Sequence, residues 1–291
     1  MAQGATRARR YSLGFREITK RFPTGTGTTE DAVWRDFVKP TLPSLSRGAV
    51  DICQYGVTEI VNNALDHSDT DHFLVAVAMN PVLVRIQVLD SGVGIFAKIA
   101  REFDLEDEAH AAFELSKGKL TTDPQRHTGE GIFFTSRMFD RFLIASGRLH
   151  YLHSTTMGDW VLSSAHLRRG TLVTMEVNPS TRRKVRAVFD EFTTGEDDPS
   201  FSVTHVPVEM VEVGEENLVS RSQGKRVMAR MHAFKRIVLD FKGVRSIGQG
   251  FADEVFRVWA GDHPHSELIA VNGNRDVERM IARALDTART S

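Results

Sequence analysis

Residues 71 to 90 read DHFLVAVAMNPVLVRIQVLD. Two runs rich in Val, Leu and Ile are separated by Asn80 and Pro81, a turn signal, so the stretch predicts a β-hairpin. Further strands are predicted in RFLIAS, RLHYLHST, DWVLSSA and GTLVTMEVN, between residues 141 and 178. Helical patterns come mostly before this run, which predicts an α+β sandwich with a mixed, largely antiparallel sheet.

The helices before and between the strands can be placed from their caps. Thr28 or Thr29 caps a helix through EDAVWRDFV that stops near Pro40, and Ser46 opens a long helix ending at Ser68. Helical spacing also marks IFAKIAREF, DEAHAAFELSKG and a segment from about Glu130 to Phe139. Ser180 is positioned to cap TRRKVRAVFDEFTT.

The chain has 291 residues, enough for two cores. TTGEDDPS, residues 193–200, is the most linker-like stretch. The expected organisation is an N-terminal extension over 1–27, a first domain over 28–192, and a second over 201–291. In the second domain strands alternate with helices, the pattern of a small α/β fold.

A net charge of −1 gives no global pull toward nucleic acid, so any such role must be local. The basic run over 221–245 is the local candidate, although a solvated helix face is the preferred explanation of it. The single cysteine, Cys53, excludes an intrachain disulfide and suggests a reducing compartment. The start lacks a signal-peptide core and no run approaches a membrane span, so a cytoplasmic protein without a membrane partner is expected.

The helix opened by Ser46 carries an unusual polar side. Glu59, Asn62, Asn63 and Asp66 gather opposite Val50, Val57, Val61 and Ala64, although Asn is a poor residue in a helix interior. Glu59 and Asn63 are one turn apart, about 5 to 6 Å at Cβ. Three glycine-bearing stations follow in order. LDSGVGIF sets Asp90 at a strand end before Gly92 and Gly94, where a ligand can approach the backbone. RHTGEGIFF sets Gly129 and Gly131 at a helix start suited to phosphate. RRGTLVTMEV sets Gly170 and Thr171 on a late strand. Walker, Rossmann and GxSxG patterns are absent.

This order resembles the GHKL superfamily ATP-binding fold, over about residues 28–180. The resemblance implies ATP and Mg²⁺ as ligands. It implies Glu59 as the carboxylate that polarises the attacking water or hydroxyl, and Asn63 as the Mg²⁺ ligand. Asp90, supported by Thr171, would accept from the adenine amino group; Gly92 and Gly94 would line the site. Thr128, Gly129 and Gly131 would cradle the phosphates beneath a lid over 116–128. Lys117, Lys119, Arg126 and His127 are the lid candidates for the γ-phosphate. A conventional histidine kinase does not fit, because the first histidine is His67, inside the motif. TEIVNNALDHS looks closest to the anti-sigma serine-kinase branch.

The C-terminal segments THVPVEMVE, NLVSRSQGKRV, IVLDFKGVRSIGQGFADEVFRVW and IAVNGN resemble a STAS-like domain family of uncharacterised function. Phosphorylatable STAS domains carry an acceptor serine where this chain has Gly250, following Gly248 and Gln249. The expectation is therefore a Mg²⁺- and ATP-binding regulator, an ATPase or serine/threonine protein kinase of the anti-sigma type. A protein partner or a homodimer is implied. The alternatives are a non-catalytic ATP-gated binding switch and an ATP-driven clamp on nucleic acid.

Overall fold

A computed structural model describes residues 2–3, 10–11, 13–25, 27–42, 44–121, 128–195, 200–211 and 218–290. Two short strands, β1 (Ala2–Gln3) and β2 (Arg10–Tyr11), pair antiparallel near the start. The chain forms two compact units, and their boundaries differ from those expected. The first is Met1–Glu108 with Glu130–Ala187; the second is Ala109–Gly129 with Val188–Ser291. The units part at Ala187 and Val188, before the 193–200 stretch, of which residues 196–199 lie outside the described residues.

The first unit is built on a five-stranded sheet of β3 (Arg16–Pro23), β4 (His72–Asn80), β5 (Leu83–Asp90), β6 (Arg141–Ser154) and β7 (Gly158–Val177). Their order is β3-β4-β5-β7-β6. Every pair in it is antiparallel, so this sheet is antiparallel throughout rather than mixed. The β4–β5 hairpin forms as its sequence predicts, with the Asn80 side chain accepting from the N–H groups of Val82 and Leu83. Residues 16–23, expected in a separate extension, are instead the edge strand, because they pair with β4 along their whole length. The four late strands fuse into two. Register shifts around Gly147, which takes φ 58°, let the pairing continue past the interruption.

Against this sheet lie α1 (Glu30–Val33), running on as a π-helix over Trp34–Val38, then α2 (Arg47–His67), α3 (Ile95–Glu102) and α5 (Gly131–Met138). Thr29 and Ser46 are the N-caps, accepting from the N–H groups of Ala32 and Ala49. Each such cap contributes about 1 kcal/mol. One face of α2 buries Ile52, Cys53, Val57, Ile60, Val61 and Ala64. Burial pushes the Cys53 thiol up to about 12, which leaves it an apolar filler rather than a nucleophile.

The second unit contains α4 (Glu108–Lys117) from Ala109 onward and has a parallel sheet of order β10-β9-β8. Its strands are β8 (Val203–Pro207), β9 (Arg236–Asp240) and β10 (Glu267–Val271). The connecting helices are α7 (Arg221–Met228), α8 (Gln249–Asp253), which continues through a π-helical Glu254–Trp259 into α9 (Ala260–Asp262), and α10 (Arg275–Thr290). Strand and helix alternate as the sequence predicts. The helix expected through residues 218–234 stops at Met228, because Arg230 turns into the left-handed region at φ 64°. The helix expected after Ser180 is reduced to α6 (Val185–Asp190). Helix accounts for 42% and strand for 30%, so the α+β class stands.

Candidate functional site

In the first unit the four sequence stations meet in two contacts. The first joins β5 to β7. Asp90 Oδ1 accepts the Gly92 N–H at 2.8 Å and the Thr171 N–H at 3.2 Å, while Thr171 Oγ1 accepts the Ile95 N–H at 3.0 Å. Asp90 is 9% exposed. Burial raises its carboxyl above the ordinary range, and the two N–H groups offset part of that rise. The group is therefore a buried acceptor fixed through one oxygen.

The second contact joins α2 to α5. Glu59 is half-buried, and a Cβ placed on Gly131 would fall 1.9 Å from Glu59 Oε2. The absence of a side chain at Gly131 is what lets this carboxylate reach the first residue of α5. A negative charge there is favoured by the helix dipole. Asn63 lies half-buried one turn further along α2. Tyr55, one turn before Glu59, was not singled out from sequence. Burial and then the charges of Glu59 and Glu130 raise its phenol, so it remains a proton donor beside two carboxylates. Its spacing of four from Glu59 was the signal available.

The other glycines serve chain packing. A Cβ on Gly92 would meet the Ser68 carbonyl at 1.9 Å, and one on Gly94, which takes φ 94°, would meet Ser146 Oγ at 2.4 Å. A Cβ on Gly170 would meet the Asp90 carbonyl at 2.1 Å. On the side where a Cβ would stand, Gly92 and Gly94 are thus closed by the protein's own atoms.

The lid candidates sit in the second unit. Gly129 approaches the backbone of Leu120, where a Cβ would fall 2.6 Å from its carbonyl carbon. Thr128 is exposed, and Arg126 and His127 lie outside the described residues. Lys117, expected as a lid candidate for the γ-phosphate, is 2% exposed. Its ammonium pairs with Glu114 and donates to the carbonyls of Arg226 at 3.0 Å and Ala229 at 3.2 Å. Lys119 donates to the Ala233 carbonyl at 2.9 Å. Both lysines are engaged by their own unit, because α4 is buried along one continuous run from Ala111 to Lys117.

Sequence reasoning also missed a buried ionic cluster in the first unit. The Arg137 guanidinium on α5 grips Asp159 on β7 through both oxygens, at 2.6 and 2.7 Å. Tyr151 donates to the same carboxylate at 2.7 Å, and His153 Nδ1 lies 2.9 Å from it. Burial alone would raise Asp159; Arg137 and His153 outweigh it and hold the carboxyl well below the usual range. The cluster fixes α5, and with it the N-terminus that meets Glu59, against the β6–β7 hairpin.

Oxygen donors such as Asn63 and Glu59 suit a hard cation. Among the described residues no group of three or more His, Cys, Asp or Glu side chains could hold a metal.

In the second unit, Gly248 and Gly250 press against the backbone of Val219, and the Gly248 N–H donates to the Leu218 carbonyl at 2.7 Å. Ser220 and Gln223 form a reciprocal capping box on α7. No described helix is long and apolar enough to cross a membrane. A family model described as a STAS-like domain of unknown function (DUF4325) matches residues 223–278. No curated protein matches the chain.

Proposed function

We propose that the chain is a Mg²⁺- and ATP-binding regulator, in which a GHKL-like first unit is joined to a STAS-like domain. The family match covers residues 223–278 alone, so the nucleotide reading rests on the first unit. The observation that carries it is the convergence of four stations, far apart in sequence, into the Asp90–Thr171 and Glu59–Gly131 contacts. Loops and helix ends do not need such an order merely to close a sandwich.

In this reading Asp90 is the acceptor for an amino group on the base, and its Oδ1 bonds hold the carboxylate in place. The N–H groups at the start of α5 favour phosphate. Glu59 orients the attacking water or hydroxyl, and Asn63 contributes one ligand to Mg²⁺, which supplies charge neutralisation on the phosphates. Turnover is carried by Glu59; the acceptor is water, or a serine or threonine of a protein partner. The non-catalytic reading is favoured by one observation, the seating of Glu59 at a helix N-terminus, where a carboxylate also serves stability.

Incubation of the full chain with ATP labelled at the γ-phosphate separates these. Free labelled phosphate identifies an ATPase, label on protein identifies a kinase, and bound but intact ATP identifies a switch. Failure of ATP to bind the folded chain removes the proposal.

A further inference from the structure

In the first unit β7 pairs with β5 over residues 172–177, whereas over 158–168 its strand partner among the described residues is β6 alone. The β6–β7 pair therefore runs on past the five-stranded sheet as a two-stranded ribbon. One face of it is held to α5 through Tyr151, His153 and Asp159 on Arg137. Strand alternation turns the opposite face outward, where Leu152 pairs with Trp160 and His150 with Leu162. Trp160 is 37% and Leu162 52% exposed. The Trp160 indole N–H donates to the Met157 carbonyl at 3.1 Å, so the ring's one polar atom is satisfied within the ribbon. Register breaks between the pairs Leu149–Ser163 and Gly147–Arg168, where residues 164–167 of β7 stand against Arg148 alone. This bulge carries Leu167, the most exposed of the large apolar side chains described, at 72%.

Two further features say what the ribbon fits. Residues 147–170 contain Arg148, Arg168 and Arg169 against one acid, Asp159, whose carboxylate is buried under Arg137. The charge left for a partner is positive. The sheet order also ends at β6, with no described strand along its outer side. The N–H and C=O groups of such an edge are a template for one more strand.

These features choose among occupants. A lipid surface cannot hydrogen-bond an open strand edge. Nucleic acid answers the arginines, but its phosphates gain nothing from exposed Leu162 and Leu167. A second copy would bring the same positive ribbon against the first. An extended polypeptide carrying both acidic and apolar residues answers the edge, the charge and the apolar face together.

We propose that the β6–β7 ribbon is a docking surface for an acidic, extended segment of a partner protein, which adds as a strand along residues 148–154 of β6. Its main chain pairs with the open edge, its apolar side chains lie on the Leu152, Trp160 and Leu162 face, and its carboxylates answer Arg168 and Arg169. This surface is independent of nucleotide binding.

The test titrates the full chain into a fluorescent peptide of about ten residues alternating Val and Glu, long enough for one strand. Hydrogen exchange is followed on the same mixtures. Saturable binding with exchange about tenfold slower over 148–154 is the expected result. Leu162→Ser, and separately the pair Arg168→Glu and Arg169→Glu, should each weaken it about tenfold. If the charge-reversed chain does not fold, Leu162→Ser carries the test. The same peptide methylated on its backbone nitrogens should not bind. Equal binding of the methylated peptide, or binding without protection over 148–154, overturns strand addition. Failure of the Val/Glu peptide to bind overturns the proposal, whether or not oligothymidylate or phosphatidylserine vesicles bind in its place.

Discussion

Thr171 donates its backbone N–H to Asp90 Oδ1 at 3.2 Å, tying the end of β5 to β7 across 81 residues of sequence. The bond gives Asp90 a structural role beside the functional one proposed for it, and the two separate by substitution. Asp90→Asn keeps an oxygen acceptor for both N–H groups, so the fold should survive. It exchanges an acceptor for a mixed group, so ATP should weaken more than GTP in calorimetry on folded protein. Equal losses contradict the adenine assignment. Asp90→Ala orphans the buried Thr171 N–H, at a cost of about 1–3 kcal/mol, and also frees the half-buried Gly92 N–H.

Glu59→Ala separates binding from turnover. A carboxylate that orients the nucleophile acts mainly in the transition state, so ATP affinity should hold while labelled phosphate release or transfer stops. Loss of ATP binding by the folded variant gives Glu59 a ground-state role and rejects the assignment.

Arg137→Met should be severe. It leaves the buried Asp159 carboxylate without its guanidinium, and breaking such a pair costs about 3–5 kcal/mol. The expected result is a large fall in melting temperature of the first unit, with the N-terminus of α5 losing exchange protection earliest. A near-neutral change contradicts the positioning role of the cluster.

The same cluster sets an acid limit. Burial, then Arg137, lowers His153 from its ordinary 6.5, and Arg183 acts in the same direction against Asp159. A group depressed in the folded state binds protons more readily when unfolded. Stability is therefore complete above pH 6.5 and falls as pH drops from there toward the folded value. Asp159, also depressed, adds a further loss below its ordinary 3.8. Thermal denaturation between pH 7 and 5 should show the first loss, and His153→Gln should flatten it. An unchanged slope in that variant assigns the effect elsewhere.

Local signals carried much of this architecture. The caps Thr29 and Ser46, the β4–β5 hairpin and the strand–helix alternation of the second unit each depend on residues close in sequence. The Asp90–Thr171 pair was legible only through the order of four motifs. Other features were hidden for physical reasons. The apolar spacing of α4 announces burial but not the surface that buries it, so Lys117 read as a lid candidate for the γ-phosphate. Arg137 and Asp159 sit 22 residues apart on a helix and a strand whose pairing no local pattern specifies. Gly147 looked like the end of a strand, because a bulge and a turn draw on the same residue.

The most direct measurement is equilibrium binding of ATP to the full chain, titrated with Mg²⁺ present and again after its removal with chelator, for the native chain and for Asn63→Ala. Binding that is saturable with Mg²⁺ and weakened both by chelation and by Asn63→Ala is the predicted result. A folded chain that binds no ATP in either condition contradicts the account.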